Sequence, residues 1–128
     1  MGRPSRGDRE HGPFDIVIDD GSHVNRHVHH SFRTLWPHLA PGGLYVVEDL
    51  QTSYWPSWGG HPDATPPTSM GLLKSFVDGL NRAEVGDPRG EGTYLERNIS
   101  GISFHHNIAF VEKGLNAEEG GPAFLRTL

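Results

Sequence analysis

Between Phe14 and Val47 the hydrophobic pattern changes period twice, and few folds accommodate both changes. Phe14–Asp19 (FDIVID) is a short, nearly continuous β-branched run, the pattern of a strand covered on both faces in a parallel sheet. From Val24 the apolar residues Val24, Val28, Phe32, Leu35, Trp36 and Leu39 recur at helical spacing and form one face. Pro37 loosens the last turn of that helix, and Ala40-Pro41-Gly42-Gly43 stops it. Leu44–Val47 (LYVV) then reads as a second buried strand running into Glu48-Asp49. Strand, helix and strand in this order place the two strands parallel with a right-handed crossover, so both strands end at one edge of the sheet. The fold class expected is therefore α/β.

The remainder is read more coarsely. Residues 50–68 hold four prolines, two glycines and three aromatics without a period, which predicts a long loop, functional or disordered. Thr68 or Ser69 caps a second helix whose stripe is Leu72, Leu73, Phe76, Val77 and Leu80, ending near Gly86-Asp87-Pro88. Ile99–Phe104 and Ile108–Lys113 flank His105-His106-Asn107 and read as a hairpin. The polar, Arg-bearing stretch 1–13 reads as a disordered leader, 14–114 as one folded unit and 115–128 as a flexible tail. A chain of 128 residues supports one such unit.

Charge and composition narrow the partners. Sixteen acidic residues against 11 basic ones give a formal charge of −5, which argues against a nucleic-acid backbone as partner. The absence of cysteine removes disulfide scaffolds, thiolate metal sites and cysteine nucleophiles. No apolar run approaches the ~18 residues of a membrane span, and no signal-like segment opens the chain. The expectation is a soluble cytoplasmic protein without a membrane partner.

The acids are concentrated where open parallel sheets bind their ligands, outside the carboxyl ends of the strands. Asp20 follows the first strand; Glu48 and Asp49 follow the second. Three carboxylates without sulfur suit a hard divalent cation such as Mg²⁺, or Mn²⁺ or Ca²⁺. His23 stands at the mouth of the same turn and is a candidate general base, imidazole being the side chain that ordinarily titrates near neutrality. The alternative is a turn in which Asp20 or Ser22 caps the following helix while Glu48-Asp49 ends a strand in solvent. His23, His27 and His30 share a helix face, and are either a Zn²⁺ or Ni²⁺ site or a solvated surface. His105 and His106 read as turn residues. Tyr54, Trp55 and Trp58 lie in the loop beyond the second strand, where they either stack on an apolar or sugar substrate or pin the loop.

Three stretches, FDIVIDDGSH, LAPGGLYVVEDLQTSYW and FHHNIAFVEKG, resemble the C-terminal half of the metal-dependent sugar O-methyltransferases of macrolide and related antibiotic biosynthesis. The resemblance spans residues 14–114. It implies part of a Rossmann-like class I methyltransferase sheet ending in an antiparallel hairpin. It further implies that Asp20, Glu48 and Asp49 bind Mg²⁺, that Asp20 also faces the cofactor, and that His23 is the base on a sugar hydroxyl. Tyr54 and Trp55 fall where substrate binds. The implied methyl donor is S-adenosylmethionine, and the implied acceptor a small-molecule glycoside. The glycine-rich cofactor turn of such enzymes has no counterpart: Gly90-Glu91-Gly92 precedes no helical pattern. The chain is thus either a piece of a methyltransferase carrying the metal and base, completed by a missing N-terminal half or by self-association, or a non-catalytic remnant or interaction module that retains metal binding. In both cases the edge of the Phe14–Asp19 strand is open.

Overall fold

The structure, a computed structural model, describes residues 13–85 and 93–127. Its elements are β1 (Phe14–Asp19), α1 (Asn25–Leu35), β2 (Leu39–Val47), α2 (Ser69–Leu80), α3 (Arg82–Val85), α4 (Tyr94–Arg97), β3 (Ile99–His105) and β4 (Ile108–Lys113). The strands form one mixed sheet in the order β1-β2-β4-β3. β1 and β2 are parallel, with Ile16, Val17, Ile18 and Asp19 opposite Leu44, Tyr45, Val46 and Val47. β4 runs antiparallel to both β2 and β3. The right-handed crossover expected of a strand–helix–strand unit explains why Asp19 and Val47 finish side by side. Among the described residues, no helix is long and apolar enough to cross a membrane.

One face of the sheet carries the core. Tyr45 and Val47 of β2, Ala109 and Val111 of β4 and Ile99 of β3 pack against Val28 and Phe32 of α1 and Leu73 and Phe76 of α2. Phe32 is the centre of an aromatic group, with ring centroids 5.0 Å from Trp36, 4.8 Å from Tyr45 and 5.1 Å from Phe76. Edge-to-face and offset pairs at these separations stabilise beyond the area they bury.

Several expectations are corrected. The helix predicted from Val24 to Leu39 ends at Leu35, and Trp36–His38 continue as a 3-10 turn with Pro37 in it, because proline cannot donate the next helical hydrogen bond. β2 begins at Leu39, five residues before the predicted strand. Its pairing with β1 skips from Phe14–Leu39 to Ile16–Leu44, and Gly42 takes a φ of +83° within that irregularity. The stretch after β2 contains two 3-10 turns, Leu50–Tyr54 and Pro56–Trp58. α2 is capped by the Thr68 hydroxyl, which accepts from the Gly71 N–H at 3.0 Å, and it ends at Leu80. β1 is not covered on both faces: Ile16 and Ile18 are each 60% exposed. Residues 1–12 and the Gly90-Glu91-Gly92 motif lie outside the described residues. In the tail Asn116 is buried, accepts from Glu118, and donates to the Leu80 carbonyl at 2.9 Å, and Ala123–Thr127 form a 3-10 turn.

Candidate metal and base site

Two turns build the site at the carboxyl edge of the sheet. After β1, the Gly21 N–H donates to Asp19 Oδ1 at 3.2 Å, closing a tight turn that carries Asp20 outward. His23 then takes a left-handed φ of 61° and α1 begins. No side chain caps α1; Ser22 Oγ instead accepts from the Val24 N–H and bonds His27 Nδ1 at 2.7 Å. After β2, the Glu48 N–H donates to the Asp19 carbonyl at 3.1 Å, and Asp49 takes a left-handed φ of 53° before the first 3-10 turn. The Leu50 N–H donates to the Asn107 carbonyl at 2.9 Å, which ties the β3–β4 turn to the same edge.

These turns bring Asp20, His23 and Asp49 together, with one ligand atom from each lying within 4.8 Å of the others. His23 Nε2 is 3.0 Å from Asp49 Oδ2 and 3.6 Å from Asp20 Oδ1. Glu48 is not part of this group. Its backbone pairs with Asp19, and of the two acids after β2 it is Asp49 whose carboxylate meets His23. His27 and His29 are engaged elsewhere, with Ser22 and with the Thr68 carbonyl. Among the described residues the His23, His27, His30 face forms no metal group, which corrects that option. Of the two histidines read as turn residues, His106 forms the hairpin turn with Asn107, which has a positive φ, whereas His105 is the last residue of β3, opposite Ile108.

The donor set fits a hard cation. It is dominated by carboxylate oxygen, and Asp20 and Asp49 are 63% and 45% exposed, which leaves room for the waters that Mg²⁺ retains. Two further polar atoms at the site, Asp19 Oδ2 and His23 Nδ1, are buried without hydrogen-bond partners. Gln51 Nε2 donates to Asp49 Oδ1 at 3.1 Å and orients that carboxylate. Beneath the site, burial and then the charge of Asp19 push the Tyr45 phenol far above its ordinary range, so it stays neutral.

Tyr54 ends the first 3-10 turn beyond the site and Trp55 is the extended residue that follows it; they are 39% and 48% exposed. Trp58 lines a separate groove of 420 Å³ with Arg26, His30 and Arg33 of α1. Periodicity overlooked three residues: Asn25, Gln51 and Thr52. Asn25 carried a usable signal, being a polar residue on the stripe that continues through Val28 and Phe32, and it is 2% exposed. Its amide donates to the Thr52 and Trp58 carbonyls and accepts from the Ser69 N–H.

A parallel pair with acids at its carboxyl edge, followed by an antiparallel hairpin, is an arrangement of methyltransferase sheets. Residues 4–50 match the family model described as a methyltransferase domain. The chain is similar to sugar O-methyltransferases of antibiotic biosynthesis, as the three sequence stretches imply. It is 53% identical over 120 residues to mycinamicin VI 2''-O-methyltransferase of Micromonospora griseorubida, covering 91% of this chain and 30% of that protein. It is likewise 53% identical over 116 residues to the 8-demethyl-8-alpha-L-rhamnosyl tetracenomycin-C 2'-O-methyltransferase of Streptomyces olivaceus, covering 90% of this chain and 31% of the relative. The solved MycE methyltransferase of the mycinamycin pathway, in complex with Mg, SAH and mycinamycin VI, superposes with a TM-score of 0.81 at 52% identity, over 93% of this chain and 31% of that one. The chain therefore spans about a third of the length of the relatives it matches, and its four-stranded sheet is a portion of a methyltransferase fold.

Proposed function

We propose that this chain is the metal- and base-bearing portion of an S-adenosylmethionine-dependent O-methyltransferase that acts in the cytoplasm on a sugar hydroxyl of a glycosylated natural product. The observation that carries the reading is the convergence of Asp20, His23 and Asp49 at the carboxyl edge, in a chain half identical to enzymes of that activity. Asp20 and Asp49 would hold Mg²⁺, and the resemblance assigns Glu48, the residue before Asp49, as a third ligand. Bound Mg²⁺ supplies Lewis acidity toward an oxygen donor, and S-adenosylmethionine supplies an electrophilic methyl group. His23 would take up the proton of the sugar hydroxyl that S-adenosylmethionine methylates, and the Asp49 carboxylate, 3.0 Å from its Nε2, would stabilise the resulting imidazolium. Asp20 would also contact the cofactor, as the resemblance implies. Tyr54 and Trp55, exposed beyond the edge, offer ring faces to the sugar or aglycone. The glycine-rich turn for the cofactor belongs to the two thirds of the relatives' length that this chain does not match, or to another subunit.

The test is methyl transfer from S-adenosylmethionine to a macrolide glycoside, with the chain placed in a full-length context. His23→Ala is expected to lower kcat by about 10²-fold or more while Mg²⁺ affinity changes little. An unaltered rate removes His23 from the mechanism. Asp20→Ala and Glu48→Ala are expected to shift the Mg²⁺ dependence, and an unshifted titration removes that residue from the ligand set.

A second reading is an interaction module that retains metal binding without catalysis. The open edge and exposed face of β1 favour it. Metal binding with no methyl transfer in any completed context would decide for it.

A further inference from the structure

His23 and Asp49, which face each other across the site, both sit in the left-handed region, with φ of 61° and 53°. For a non-glycine residue that conformation is sparsely populated and persists only where the surroundings impose it. Neither residue is held there by its own side chain alone. Thr52 lies under both turns. It is 4% exposed, and its hydroxyl donates to the His23 carbonyl at 2.7 Å while lying 3.3 Å from the Asp49 carbonyl. With a single hydroxyl hydrogen the bond is shared between the two carbonyls, the shorter contact going to His23.

Thr52 is itself anchored through Asn25, which in turn bonds in two further directions. Its carbonyl accepts from Asn25 Nδ2 at 3.0 Å, which fixes it to the first turn of α1. The same amide reaches the Trp58 carbonyl at 3.0 Å, and Asn25 Oδ1 accepts from the Ser69 N–H at 2.7 Å at the start of α2. The Thr52 hydroxyl is thus a rigid peg between two strained turns.

We propose that Thr52 is a positioning residue of the site: its hydroxyl holds the His23 and Asp49 turns together and so sets the separation of the base from the metal-binding carboxylate. The proposal rests on the reading of this cluster as a metal and base site. It acts through backbone carbonyls, so it predicts a loss of site geometry from the removal of one hydroxyl with no change in side-chain volume.

The experiment uses the 128-residue chain with Thr52→Val, Thr52→Ser and Ser53→Ala. Ser53 is an internal control: it is fully buried beside Thr52, but its hydroxyl accepts from the Met70 N–H of α2 at 3.0 Å. Two readouts are taken, Mn²⁺ affinity by electron paramagnetic resonance and the intraresidue amide–Hα nuclear Overhauser effects of His23 and Asp49, which are strong only at positive φ. Thr52→Val is expected to weaken Mn²⁺ binding by about 10-fold or more and to diminish the His23 effect, with Thr52→Ser within about threefold of the parent. Ser53→Ala is expected to lower the melting temperature while leaving both readouts in place. Thr52→Val with parental affinity and parental Overhauser effects overturns the proposal, as does an equal loss in Ser53→Ala. If the parent chain binds no Mn²⁺, the metal reading fails, and the Overhauser comparison alone decides the role of Thr52.

Discussion

Tyr45 has no solvent exposure, and its hydroxyl has no hydrogen-bond partner. Burial, and secondarily the Asp19 carboxylate, raise its pKa far above the usual phenol range. In the unfolded chain the phenol ionises near pH 10, so above that pH the folded state binds the extra proton and stability falls as pH rises; below it the contribution is complete. Tyr45→Phe keeps the ring against Phe32, 4.8 Å away, and removes the group that titrates. The variant is expected to match or exceed the parent at neutral pH, where an unpaired buried hydroxyl is a cost, and to lose less stability between about pH 9 and pH 11. Urea midpoints across that range check it, and parallel curves for the two proteins would refute it. This part of the molecule was open to sequence reading only in outline. LYVV announces a buried strand, but whether the tyrosine hydroxyl finds a partner depends on what folds over it. For the same reason Asp20, His23 and Asp49 were legible as a group, since strand ends place them, whereas the bonds of Thr52 and Asn25 were not: the stripe marks Asn25 as buried, but these partners lie 27 to 44 residues away.

At the scale of elements, the end of α1 shows how a helix stop is completed from outside the helix. Pro37 forces the last turn into 3-10 geometry, and the Trp36 carbonyl accepts from the Leu39 N–H. The same carbonyl accepts from Lys113 Nζ at 2.7 Å, and the ammonium lies 5.3 Å from the Trp36 ring centroid and 5.8 Å from that of Tyr94. Lys113 is only 5% exposed, so β4 carries a buried cation whose compensation is the helix end and two aromatic faces. Lys113→Met preserves the packing of the stem and removes both interactions. It is expected to lower stability by about 1.5–3 kcal/mol, the range for a hydrogen bond to a charged group, read from chemical denaturation. An unchanged midpoint would mean that desolvating the ammonium already cancels what its partners return. Helical spacing made α1 readable and proline made its loosening readable. The 3-10 turns after β2 were not, since an aperiodic, proline-rich stretch carries no pattern from which short turns can be told from loop.

At the scale of the whole molecule, the helices among the described residues that complete the core pack on one face of the sheet. α1 and α2 cover the face carrying Tyr45, Val47 and Val111, while β1 stands at the edge with Ile16 and Ile18 60% exposed. The β-branched density of FDIVID is the composition of a two-sided strand, which is why the sequence reads as buried where the structure shows it bare. In the proposed enzyme that face and edge meet the part of the protein that carries the cofactor turn. Two contexts then give opposite results for one pair of substitutions. In the 128-residue chain Ile16→Lys with Ile18→Lys removes little packing, so the melting temperature is expected to hold while any self-association in sedimentation velocity decreases. In a longer chain that covers β1, each isoleucine is worth about 1.5–3 kcal/mol of burial, and the same pair is expected to lower the melting temperature sharply and abolish methyl transfer. Destabilisation of the short chain would show that the face is already packed. Tolerance in the longer chain would show that it remains free there, and the interaction-module reading would then account better for an exposed apolar edge beside the candidate metal site.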